Sequence, residues 1–461
     1  MTVEERRPQV EAPAGRAGRE TAARGTAGWA GALAAGLLLA AAPLHADDLW
    51  DDNGAQEDGW DDDPWGEPER RFPFETHGFI EIAGGAHTRD NDVTDKDYNL
   101  AETRLQLELL GEWRRFNYRV RADGVGDAVE DEWRGELREA RVGFPVGQRV
   151  DMRVGRQVLS WGTGDLLFVN DLFPKDFESF LTGRDEDYLQ APSDAVRGIW
   201  YGDSVTLDVV WTPLFAPDHY VDGGRLSYFD PGSGSQTAES PRTTEPDDFP
   251  DDGEAALRIS SRVGAAEVDG YAYRGFYPQP RTEVDGRLTH PRLNAYGASV
   301  RTPLAGGIGN AEIGYYDSVE NRDGDDPNYP NSEIRLLLGY TWELATNLDV
   351  GLQYYVEWLQ DYDELEDNWP MDDDYLPEER RDVVTTRLTY SMWRNDLIWS
   401  LFAYYSPADE DHYLRPSIRY RASDALTYTV GGNFFGGEEA HTFYGQFERD
   451  SNVYARARYR F

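Results

Sequence analysis

The sequence predicts an all-β fold: a transmembrane antiparallel β-barrel of about eighteen strands. Three observations carry the expectation. From Phe74 onward, segments of about ten residues alternate apolar with polar side chains, the length a tilted strand needs to cross a bilayer. The connections between them are alternately tight and long. The chain ends "SNVYARARYRF", an apolar-aromatic face opposed by arginines at every second place. A soluble sandwich or propeller is the competing fold, but its strands run to about five or six residues and its connections do not alternate in length.

Residues 1–46 read as a signal peptide. Arg6, Arg7, Arg16, Arg19 and Arg24 precede the apolar run "AGWAGALAAGLLLAAAPL", and "LHA" ending at Ala46 offers a small residue for cleavage. Residues 47–73 are acidic, with Gly, Pro and scattered Trp and no period. They read as a flexible periplasmic extension. Residues 74–461 are left for the barrel.

Within it, "AETRLQLELLGEW" sets Leu105, Leu107 and Leu109 against Arg104, Gln106 and Glu108, and "RRFNYRVRAD" sets Phe116, Tyr118 and Val120 against Asn117, Arg119 and Arg121. "SEIRLLLGYTWE" and "LDVGLQYYVEW" alternate in the same way. Short turns fall at "WRRF", "FPVGQ", "YGDS", "VGAA", "PLAGG", "ELATN", "WRND" and "RASD". The longer connections are expected at 88–96, 124–132, 160–193, 214–253, 278–292, 319–331, 359–380, 406–411 and 436–451. Short periplasmic turns and long, acidic extracellular loops are the layout of an outer-membrane barrel, with both chain ends on the short-turn side. Pro416 suggests a bulge in the sixteenth strand. Trp113, Trp342, Trp358, Tyr390 and Trp393 crowd strand ends, where interfacial aromatic girdles lie.

Strand parity assigns inward residues. Arg104, Arg119, Arg121, Arg141 and Arg153 on strands two to five, with Arg415, Arg419, Arg421, Arg456, Arg458 and Arg460 on strands sixteen to eighteen, form one basic wall once the last strand closes on the first. Asp269, Glu312, Asp349 and Glu357 face it as an acidic wall. Such a transverse field orders polar solutes. The opposing view is that Glu81, Glu108 and Glu139 neutralise the arginines. The third long loop is unusual in its apolar content, and Trp161, Asp165, Phe168, Phe173 and Phe177 are its candidate constriction residues. A loop with that surface packs against something, and folding inward is the simplest solution.

"RVGRQVLSWGTGD", with Gly155, Arg156, Gln157, Trp161 and Gly162, together with the closing "FYGQFERDSNVYARARYRF", resembles the corresponding segments of outer-membrane barrels related to the alginate-export porins. The resemblance implies an eighteen-stranded channel with an arginine-lined path, which in that family carries an acidic polysaccharide. Arg156 falls on the outward parity and lines the pore only if a bulge at Gly155 re-aims it. The terminal strand also resembles those read by the barrel-assembly machinery, with Tyr459 and Phe461 in the matching places.

Composition narrows the partners. The chain is acidic, with formal net charge −41, and Lys96 and Lys175 are its only lysines, so nucleic acid is not an expected partner. There are no cysteines, and no zinc, phosphate-loop or nucleophile-elbow motif appears. The seven histidines are scattered without a serine partner, so neither catalysis nor a cofactor or metal is expected. "RDNDVTDKD" lacks the Gly and Glu of a calcium loop. Expected partners are outer-membrane lipid, the assembly machinery, a small polar or anionic solute or an acidic polymer, and a periplasmic export partner. A structural or complex-forming barrel, and more remotely a barrel hydrolase, are the alternatives.

Overall fold

Every alternating segment quoted above is a strand. The computed structural model describes residues 74–461 apart from Asp95 and Asp285. The signal peptide and acidic extension expected over 1–73 lie outside these residues. The first strands are β1 (Phe74–His87), β2 (Tyr98–Trp113), β3 (Phe116–Asp127), β4 (Glu132–Val146), β5 (Val150–Val158) and β6 (Pro192–Tyr201). Then come β7 (Val205–Thr212), β8 (Glu254–Val263), β9 (Ala266–Phe276), β10 (Arg292–Leu304), β11 (Gly307–Ser318) and β12 (Glu333–Ala345). The last are β13 (Leu348–Leu359), β14 (Arg380–Met392), β15 (Leu397–Ser406), β16 (Asp411–Arg421), β17 (Leu426–Gly437) and β18 (Asn452–Arg460).

These form one 18-stranded sheet, each strand antiparallel to the next. It closes where β18 pairs with β1, placing Ala457 opposite Ile82 and Arg458 opposite Glu81. Closure leaves no edge strand. The tight turns use the residues their geometry needs: in the β10–β11 turn Ala305 and Gly306 have φ of 47° and 87°, the paired positive values of a type I′ hairpin.

Period-two patterning decides which face is which. Ile80, Ile82, Leu105, Leu107, Ile313 and Leu338 are exposed on the outer surface, with Trp113, Trp358, Tyr390, Trp393 and Tyr459 towards the strand ends. Glu81, Arg104, Asp123, Asp208, Glu312 and Arg458 are buried on the inner one.

One expected long loop is short: β3 continues to Asp127, leaving four residues (128–131) before the next strand, while the connection expected at 406–411 lies between Ser406 and Asp411. Gly124 and Gly126 signal a loop in sequence, but the Trp133 ring lies across Gly126, where a Cβ would meet it at 2.7 Å. An aromatic thus covers the exposed glycine backbone and the ladder continues. The bulge expected at Pro416 is absent: the register on β15 runs unbroken through Leu401 opposite Pro416. A register shift occurs instead between Arg121 and Ala122, where β4 carries Arg138 as an extra residue.

Candidate pore and constriction loop

The third long connection, residues 159–191, lies inside the barrel and is bonded to both sides of it. Its first anchor is Glu312 on β11, which accepts hydrogen bonds from the backbone of Thr163 and Gly164 (2.8 Å) and from Asn170 Nδ2 (2.9 Å). Gly162 makes the approach feasible. Its φ is +83°, and a Cβ there would stand 3.3 Å from both Glu312 carboxylate oxygens. The second anchor is Asp165. Gln353 of β13 bonds its backbone N–H (2.7 Å) and carbonyl (2.8 Å), while Arg387 of β14 grips its carboxylate at 2.5 and 2.9 Å.

Apolar side chains follow. Trp161 packs edge-on against Phe173 at 4.9 Å and leans on Tyr271 of β9, and Lys175 stands 4.7 Å over the Phe168 ring. Phe177 opens a one-turn helix, α1 (Phe177–Thr182), capped by Asp176, which accepts from Ser179 N at 2.7 Å. Burial opposes ionisation of Asp176, but His219 and Arg184 outweigh it and hold the carboxyl down to about 2.

The returning half ties back to β14 and reaches the opposite wall. Asp185 pairs with Arg456 (2.9 Å) and Arg458 (3.0 Å) of β18, and Glu186 reaches Arg387 (3.0 Å) and Arg415 (3.6 Å). The Tyr188 ring is sandwiched between Arg104 (4.2 Å) and Arg138 (4.7 Å), and its hydroxyl donates to Asp123 at 2.6 Å. The loop is therefore a strap across the lumen.

The arginine wall divides into two parts. Arg104 contacts Asp123 (2.7 Å), Glu136 (3.1 Å) and Glu102 (3.5 Å), while Arg458 and Arg456 contact Glu81 at 2.8 and 3.7 Å. These positions are neutralised or hold the strap. Carboxylates are scarcer nearer the short turns. Glu139 is shared by Arg121 (2.8 Å), Arg119 (3.4 Å) and Arg141 (3.5 Å), and Glu108 meets Arg119. Arg119 stands opposite Arg141 across β3 and β4, and Arg153 opposite Arg197 across β5 and β6. Arg197 shares Asp208 with Arg258, at 2.6 and 3.2 Å, while Arg153 and Arg419 make no ion pair among the described residues. Arg421 pairs with Asp396 (2.7 Å) in a short turn, and Arg460 donates to Thr427 Oγ1 at 3.2 Å.

Arg156 stands apart. The register passes through Gly155 without a shift, and Arg156 forms a two-toothed pair with Asp194 at 3.1 and 3.2 Å on the outward parity. Of the acidic positions, Glu312 holds the strap and Glu357 sits between Arg335 (3.8 Å) and Arg381 (3.5 Å). Asp269 is buried and Asp349 is exposed near a short turn. Four contributors escape a parity reading. Arg138 is turned inward by the bulge, and Asp185, Glu186 and Tyr188 sit in "GRDEDY", whose charge density was the available signal. No histidine among the described residues hydrogen-bonds a serine, and no group of three or more His, Asp or Glu among them is placed to hold a metal ion.

No sequence-family model matches this chain, and no curated protein matches it in sequence. Solved structures match it in shape. OccAB4 of Acinetobacter baumannii superposes with TM-score 0.52 at 11% identity, over 86% of this chain and 100% of that one. OccAB3 of the same organism gives TM-score 0.51 at 11% identity, over 84% and 99%. The shared property is the porin-like β-barrel fold, and nothing in it singles out the alginate-export porins.

Proposed function

We propose that this chain is an outer-membrane channel for passive passage of small polar solutes, with a preference for anions. The observation that carries the reading is the facing of Arg119 by Arg141 and of Arg153 by Arg197, with fewer carboxylates than guanidiniums around them. Like charges directly opposite on a sheet are destabilising, so such a wall has a use other than stability. Inside a low-dielectric wall, uncompensated cations raise the local concentration of anions and set ion preference.

The outer apolar face with aromatic ends suits lipid contact, and Phe461 suits recognition by the assembly machinery, so the outer membrane is the location this reading requires. The strap's bonds to both walls favour small solutes over an acidic polymer. Acidic loops at the outer mouth repel anions arriving from outside, which suits export, with a periplasmic partner, more than uptake.

The test is planar-bilayer conductance of refolded protein in a salt gradient. Reversing Arg119, Arg121, Arg141 and Arg153 to Glu together is expected to move the reversal potential towards cation preference, most strongly at low salt. Unchanged selectivity overturns the anion reading. A structural barrel is the second reading, favoured by the strap itself: conductance that stays at zero after residues 166–181 are shortened establishes it in place of a channel.

A further inference from the structure

On the long-loop side of the strap lies a chamber of about 450 Å³, within the size range of small-molecule sites. Its floor is the strap (Leu166, Leu167, Phe180), its wall is β11 to β15, and its roof comes from the loops after β7, β9 and β17 (Val221, Pro280, Phe443). It lies apart from the arginine wall of β3 to β6.

Most of the polar groups around it are already occupied; the buried Tyr277 hydroxyl and Arg381 Nη2 have no hydrogen-bond partner among the described residues. The hydroxyl of Tyr316 donates to Val169 O (2.7 Å), that of Tyr404 to Leu166 O (3.1 Å), that of Tyr355 to Glu357 (2.7 Å) and that of Tyr228 to Glu239 O (2.7 Å). Lys175 is bound to Asp171 at 3.0 Å, Arg335 to Glu333 at 2.5 Å, and Arg381 to Asp409 and Glu357. Asp218 accepts from Lys175 N at 2.8 Å. Arg281 makes no ion pair among the described residues, but it is exposed and stacks over Tyr277 at 5.3 Å. The chamber therefore presents mainly aromatic rings and aliphatic side chains, its buried guanidiniums and Lys175 paired within the protein and Arg281 exposed to solvent. A charged ligand entering it would lose hydration for at most the solvent-screened Arg281 as partner, whereas an apolar one gains by area buried.

We infer that the chamber is a binding site for a neutral hydrophobic molecule of one or two aromatic rings, captured from the outer side before the strap. This is a second specificity in the same barrel, with chemistry unlike that of the arginine wall.

The test is anomalous diffraction from crystals of the protein equilibrated with 1-bromonaphthalene, and in parallel with bromonaphthoate. The expected result is a bromine peak in the chamber for the neutral compound and none for the carboxylate. Leu167→Glu, which places an unmatched carboxylate on the floor, is expected to abolish the peak. Val221→Trp, which fills space from the roof without adding charge, is the second variant and is expected to do the same. Both are first shown to be folded by the gel shift between unheated and heated samples. Bromine found only on the lipid-facing surface, a peak that persists in both folded variants, or occupancy by the carboxylate beside Arg281 in place of the neutral compound would each overturn the inference.

Discussion

Replacing Glu312 by alanine is expected to free the leading edge of the strap. The carboxylate is buried, 4% exposed, and accepts from Thr163 N, Gly164 N and Asn170 Nδ2. Hydrogen bonds to a charged acceptor contribute about 1.5–3 kcal/mol each, but three sharing one buried carboxylate do not add, because its desolvation offsets part of the gain. Losing the acceptor also strands two backbone N–H groups. A net loss of about 3 kcal/mol in docking residues 162–164 is the resulting figure, and at about 1.4 kcal/mol per tenfold it increases local opening by roughly a hundredfold. The effect stays local, because Asp165 remains bonded to Gln353 and Arg387. Amide hydrogen exchange reads this directly: Thr163 and Gly164 exchange faster by that factor while Leu189 and Ala191, at the far end of the strap, do not change. Glu312→Gln keeps one acceptor oxygen and is expected to fall between. Exchange within about threefold of the unaltered protein would refute the reasoning, since the strap would then be held by its apolar packing alone.

Ala457 faces outward between Ile82 and Tyr428. Ala457→Arg is expected to cost up to about 2–4 kcal/mol in unfolding from lipid vesicles, and equal stability would place that face away from lipid. Phe461 exchanges two backbone hydrogen bonds with Gly78 (3.0 and 3.1 Å), and its ring occupies the space a Cβ at Gly78 would need. Deleting Phe461 should therefore lower the assembled fraction on unheated gels with synthesis unchanged. Asp450 is buried in the last loop, where burial lifts its carboxyl to about 7 despite hydrogen bonds from Ser227 and Asn91. A carboxyl raised on folding from near 3.8 favours the folded loop while protonated, so that contribution is present below about pH 4 and is lost as pH rises to 7. Ser227 amide protection, corrected for intrinsic exchange, should fall between pH 5 and 7.5, and Asp450→Asn should flatten the profile.

Most of the barrel was legible as period-two alternation because a strand's inside and outside are a local property, set two residues at a time. The eight tight turns were legible for the same reason: residues such as Asn347, with φ of 65°, announce a hairpin within a few positions. Reading failed where a neighbour changed the meaning of a local signal. Gly124 and Gly126 looked like a loop until Trp133 covered Gly126, and parity missed Arg138 because the bulge beside it is defined only by the partner strand.

The site was less legible than the fold. Inward arginines follow from parity, but whether each is free depends on which carboxylate closure brings beside it. Glu81 meets Arg458 only because β18 returns to β1, and Asp165 meets Arg387 across 222 residues of chain. The apolar content of residues 159–191 indicated that the loop must pack against something. That it bridges two walls and leaves a largely aromatic and aliphatic chamber above it was decided by tertiary structure alone. Alternation is written in neighbouring residues, whereas charge pairing and enclosed volume exist only once distant strands have closed around the same space.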